Sequence, residues 1–95
     1  LPSPTLFEWD SGNSFKNFDK HNVTMQEAEE VFFNKPLILH EDVRHSTTSE
    51  QRLYGLGHTN AGRHLFVAFT IRNSKVRVIS IRDMKKTERQ TYEKA

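Results

Sequence analysis

Five cationic or titratable side chains, Arg44, His45, Arg52, Arg77 and Arg82, are spread from the middle of the chain to its last third, with Glu50 among them. Together these residue types could cut a ribose–phosphate backbone without a metal. That chemistry needs a base to activate a 2′-hydroxyl, cations to stabilise the charged phosphorane, and an acid to protonate the leaving oxygen. Guanidinium suits the second task because it is always charged and grips phosphate through two parallel donors. Glu50 or His45 suits the base, and His45 the acid. The same arginines on an exposed antiparallel sheet would also serve solubility, and residue types alone leave both readings open.

Other chemistries find less support. His40-Glu41-Asp42-Val43-Arg44-His45 superficially looks like a zinc-protease helix, but its histidines are five apart, at a strand end and in a loop. A shared metal needs them four apart on one helical face. With no Cys and no third ligand in register, neither a metal site nor another cofactor is expected. Gly55, Gly57 and Gly62 fall in a strand and a turn, so they form no phosphate-cradling loop, and no elbow-type serine nucleophile occurs. No helix is basic with a base-reading face, which disfavours direct reading of DNA. Lys85, Lys86 and Arg89 could still touch phosphates without reading sequence.

The elements that must position these residues can be read in order. Thr5 to Trp9 alternates as a short strand, with Phe7 and Trp9 on one face. Asp10 can cap a helix over 11–21 that points Phe15 and Phe18 inward. His21 and Asn22 end it, since Asn tolerates a left-handed terminus. Thr24-Met25-Gln26-Glu27 is a capping box, with Val23 stapling onto Ala28, and opens a second helix reaching Asn34. Its apolar stripe is Ala28, Val31 and Phe32, and Pro36 prevents continuation.

Strands then follow at Leu37 to Glu41, Gln51 to His58, His64 to Arg72 and Lys75 to Arg82. A tight Asn73-Ser74 connection joins the last two. The third strand is apolar on both faces and should be central and covered on both sides. On the fourth, plain alternation puts Val76, Val78, Ser80 and Arg82 on one face, opposite Arg77, Ile79 and Ile81. Thr87-Glu88-Arg89-Gln90 reads as another capping box, opening a last helix to Lys94. The expected fold is α+β, in the order βααββββα, with an antiparallel meander and helices packed on it.

Ninety-five residues fit one domain, 1–95, burying roughly 60–65% of its unfolded surface. Apolar runs are too short to span a membrane and the start lacks a signal-peptide pattern, so a cytoplasmic protein is expected. The absence of Cys fits a reducing compartment. Charge is split: residues 1–50 carry four Lys/Arg against nine Asp/Glu, and residues 51–95 ten against three. The basic half could attract phosphate backbones, or the two halves could neutralise each other on folding.

A series of short blocks adds to this reading. They are Phe7-Glu8-Trp9-Asp10, Asn17, Lys20-His21, Val23, Glu27-Ala28, Val31-Phe32, Asp42-Val43-Arg44 and Glu50-Gln51-Arg52. They continue through Gly57, Gly62-Arg63, Phe69-Thr70, Arg77-Val78-Ile79-Ser80, Arg82, Glu88-Arg89 and Tyr92. In this order and over nearly the whole chain, they resemble the BrnT family of type II toxin–antitoxin toxins.

The resemblance implies a RelE-like ribonuclease that cleaves RNA and arrests translation. It also implies a BrnA-type antitoxin with a ribbon-helix-helix-like DNA-binding half, forming a hetero-oligomer with the toxin and carrying it to operator DNA. Carried onto this sequence, it gives Arg52 and Arg82 to phosphate and transition-state charge, Glu50 to the base or its orientation, and His45 to the acid. Arg44 and Arg77 become supporting RNA contacts. Two positions depart from the family: Asn22 stands where Gly is common, and Ser46-Thr47-Thr48-Ser49 where Gly or charge is common. A toxin-like binding module with little or no activity, acting in complex assembly and operon control, is the alternative expectation.

Overall fold

The computed structural model describes residues 1–14 and 21–95. Helix α1 spans Met25–Phe33, strands β1 to β4 span Ile38–Glu41, Arg52–His58, His64–Arg72 and Lys75–Asp83, and helix α2 spans Lys86–Glu93. The strands form one antiparallel sheet in the order β1-β2-β3-β4. This is a small α+β domain, as the sequence implied.

Local chemistry accounts for the element ends. The Thr24 hydroxyl accepts the Glu27 N–H and the Glu27 carboxylate accepts the Thr24 N–H, both at 3.0 Å, so the expected capping box forms. Val23 and Ala28 are both buried beside it. Asn22 is left-handed at φ 53°, as its side chain permits. Asn73 and Ser74 are both left-handed too, which gives the hairpin turn whose twist matches its strands. The expected helix over 11–21, with Phe15 and Phe18, lies largely outside the described residues.

Two faces of the sheet are dressed differently. On one, Leu65, Val67 and Phe69 of β3 and Val76, Val78 and Ile81 of β4 pack against Val31 and Phe32 of α1. Phe7 and Trp9 join the edge of that core. On the other, α2 brings Tyr92, with Met84, against Leu56, Ile38 and Phe66. The third strand is therefore packed on both sides, as its two apolar faces required.

Three expectations are corrected. The N-terminal strand shrinks to a single parallel bridge, Phe7 opposite Val76. Pro2 and Pro4 lack the N–H groups a longer ladder needs, and Asp10 starts a turn on the other side. The last helix is capped at Lys85 and not at Thr87, because the Glu88 carboxylate reaches back to the Lys85 N–H at 2.8 Å. The third correction concerns β4. Ala68 pairs with Ser80 while Phe69 pairs with Val78, so Ile79 is an extra residue in a bulge. Alternation slips there by one. Ile81 rejoins Val76 and Val78 in the core, and Arg82 moves to the opposite face with Ser80 and Arg77.

Candidate functional site

The face opposite α1 carries most of the chemistry. By register, Arg52 of β2 stands opposite Thr70 of β3, and Thr70 in turn opposite Arg77 of β4. Arg52 and Arg77 thus flank the central strand about 10 Å apart. Arg82 pairs with Phe66, four residues before Thr70 on β3 and so about 13 Å further along the face. The middle of the face has a low floor, since Ala68 pairs with both Tyr54 and Ser80.

Arg52 is the least committed of these cations. Its Nε and the Thr70 hydroxyl are both buried, and neither has a hydrogen-bond partner among the described residues. Two orphaned polar atoms at directly opposed positions are unusual in a folded chain. Arg77 is held differently: Nη1 donates to Glu8 at 3.0 Å and to Asp10 at 2.8 Å. The bonding of Arg77 to Asp10, then the Gly12 N–H, holds the Asp10 carboxyl below its ordinary range. Arg72, at the end of β3, bridges Glu50 at 3.3 Å and Glu8 at 3.7 Å. Sequence reasoning did not single it out, although its place beside a hairpin turn put it at the end of the face that bears Arg52 and Arg77.

Arg82 lies at the other end, beside Lys85 and Lys86 at the start of α2. It donates twice to Glu88, at 2.8 and 3.0 Å, and once to the Asp83 carbonyl at 3.1 Å. Hydrogen bonds from Arg82, then from the Lys85 N–H, keep the Glu88 carboxyl below its ordinary value despite partial burial. Its guanidinium carbon sits 4.2 Å from the centre of the Phe66 ring. Phe66 stacks on Tyr54 at 5.7 Å and Tyr54 on His40 at 5.6 Å. Lys85 and Lys86 are exposed, as is Arg44 in the turn after β1.

His45 stands in the same turn, with Nδ1 2.8 Å from an Asp42 carboxylate oxygen. Asp42 therefore fixes the ring and leaves Nε2 available for proton transfer. The three-residue spacing within a turn was the signal for this pair. The expected polar residues thus fall in two groups. Arg44, His45, Glu50, Arg52 and Arg77 collect at the end of the sheet bearing the β1–β2 loop, and Arg82, Lys85 and Lys86 at the end bearing α2. Trp9, by contrast, donates its indole N–H to Glu29 at 2.7 Å and packs on the core.

A family model described as ribonuclease toxin, BrnT, of type II toxin–antitoxin system matches residues 9–88 of the 95-residue chain. The chain belongs to the BrnT family. Comparison with curated proteins gave no match. Membership in the BrnT family makes the chain a ribonuclease toxin of a type II system by family and implies an antitoxin partner. The matched span contains every element named above except the end of α2. Among the described residues no helix is long and apolar enough to cross a membrane.

Proposed function

We propose that this BrnT-family chain is a metal-independent endoribonuclease that cuts cellular RNA in the cytoplasm and so inhibits translation. Attack of a 2′-hydroxyl on the adjacent phosphorus expels the 5′-oxygen of the next nucleotide. The products carry a 2′,3′-cyclic phosphate and a 5′-hydroxyl. Arg52 takes the phosphate and its developing charge, and Arg82, at the other end of the face, takes a further backbone phosphate when RNA displaces Glu88 from it. Glu50 activates the hydroxyl or orients the base, and His45, held by Asp42, protonates the leaving oxygen. Arg44, Arg77, Lys85 and Lys86 guide the backbone. The likeness to RelE-type ribonucleases belongs to the same proposal.

One observation carries this reading: among the described residues neither Arg52 Nε nor the opposed Thr70 hydroxyl, both on the basic face, has a hydrogen-bond partner. A phosphate can bind the outer nitrogens of that guanidinium, which no carboxylate among the described residues holds. The partner is a BrnA-type antitoxin, ribbon-helix-helix-like in its DNA-binding half, joined to the toxin in a hetero-oligomer. Operator DNA is reached only through it.

A second reading has its own support. Arg77 and Arg82 are already neutralised by Asp10, Glu8 and Glu88, which suits a binding module without activity. Purified protein incubated with RNA, with and without EDTA, separates the two. Fragments ending in cyclic phosphate, formed equally in EDTA, support the ribonuclease. Intact RNA together with normal growth on expression would leave only the binding module.

A further inference from the structure

Each strand of the sheet contributes one planar side chain to a continuous row: His40 from β1, Tyr54 from β2, Phe66 from β3 and Arg82 from β4. His40 and Tyr54 are directly paired, as are Phe66 and Arg82, and the Tyr54–Phe66 step is diagonal. The rings are close to parallel, with planes 29° apart at the first step and 27° at the second. Arg82 closes one end by lying over Phe66. The other end is His40, which is exposed on the edge strand.

Cross-strand stacking stabilises a sheet modestly by itself, and that would be the whole account if the row lay apart from the chemistry. It does not. The row crosses the face that carries Arg52 and ends one diagonal step from it: Tyr54 opposes His40, and Arg52 lies two residues before Tyr54. Diagonal neighbours of this kind are about 7–8 Å apart, within reach of a long side chain such as that of Arg52. The centre of the face, Ala68 and Ser80, is small and uncharged, and Asp42, the carboxylate that continues the β1 register opposite Arg52, is held by His45.

We propose that this row is a platform for single-stranded RNA, on which one nucleobase stacks against the exposed face of His40 and extends the column. The phosphate of that nucleotide is then met by the guanidinium of Arg52. Every base has a π face, so the platform grips RNA with little base preference, and it requires the base to be unpaired. The proposal rests on the ribonuclease reading only in its choice of RNA as occupant. In the sequence, His40 stands five residues from His45, too far for a shared helical zinc site. Its place at the end of a four-strand stack gives it a different use.

The test uses a short single-stranded RNA carrying 2-aminopurine and 2′-O-methyl riboses, which prevent cleavage. Stacking on the platform quenches the fluorophore when wild-type protein is added. His40→Ala, at an exposed position, and Tyr54→Leu should each weaken binding about tenfold or more and abolish the quench at saturation. His40→Phe should restore it. Arg52→Ala should weaken binding while leaving the saturated quench intact. Binding without a quench, or an undiminished quench in both His40→Ala and Tyr54→Leu, would overturn the platform, as would failure of the oligonucleotide to bind.

Cleavage of unmodified RNA is followed in parallel. A wild-type quench without cleavage would remove the ribonuclease reading and keep the platform. Cleavage with unchanged KM in His40→Ala would do the reverse.

Discussion

Arg82 illustrates how a single side chain is fixed by its neighbours. Two parallel bonds to Glu88, a third to the Asp83 carbonyl and the face of Phe66 leave its guanidinium one orientation. Glu88 has two tasks here, since the same carboxylate caps α2 through the Lys85 N–H. Removing it should therefore cost more than an exposed ion pair would. Glu88→Ala is expected to lower stability by about 1–2 kcal/mol, read as a shift in the urea midpoint. Glu88→Gln, which keeps an acceptor for the cap, should lose less. Equal stability of Glu88→Ala and wild type would contradict this double role.

At the scale of elements, α1 and β2 meet where β2 has no side chain. A Cβ added to Gly57 would stand 2.6 Å from Val31 Cγ1 and 3.3 Å from the Val31 carbonyl oxygen. Neither atom can yield, because Val31 is fully buried. Gly57→Ala should lower stability by about 1–3 kcal/mol, measured by urea unfolding. An unchanged midpoint would mean that the helix does not sit as closely as described.

Much of this level was legible beforehand. The capping box at Thr24, the left-handed Asn22, the Asn73-Ser74 turn and all four strands follow from local rules that act over a few residues. What could not be read is the bulge at Ile79, because one extra residue depends on pairing with β3 and leaves the local pattern looking regular. That slip decides the site, since it alone puts Arg82 on the face of Arg52 and Arg77. The attachments of Arg77 to Asp10 and of Arg63 to Asp83 are equally non-local, and spacing holds no signal for them.

Across the whole molecule, the acidic first half and basic second half are partly neutralised by each other. Glu8 and Asp10 meet Arg77, Glu50 meets Arg72, and Glu27 meets Arg63. Arg63 is the densest junction, binding Asp83 and Glu27 as well as the His21 and Asn22 carbonyls. Such pairing has a pH signature. Bonds from Arg77, Arg63 and Arg82 hold Asp10, Asp83 and Glu88 below their ordinary values, and the Thr24 N–H does most of this for Glu27.

A carboxyl depressed in the folded state stabilises the fold above its unfolded value, and that contribution fades as pH falls through the folded one. Stability should thus be level near neutrality and decline below about pH 4.5, followed by thermal unfolding. Asp83→Asn should show a shallower decline. A midpoint that rises on acidification would contradict the assignment.

The basic patch that remains after this pairing centres on Arg52, which gives the proposal its sharpest exposure. Among the described residues its Nε makes no bond to lose, so replacing it should leave folding nearly intact while removing phosphate stabilisation. The direct test is the cleavage rate of purified Arg52→Ala on single-stranded RNA, beside its thermal midpoint. The expected rate is lower by about a hundredfold or more, with a midpoint close to wild type. Wild-type cleavage by a folded Arg52→Ala protein would contradict it.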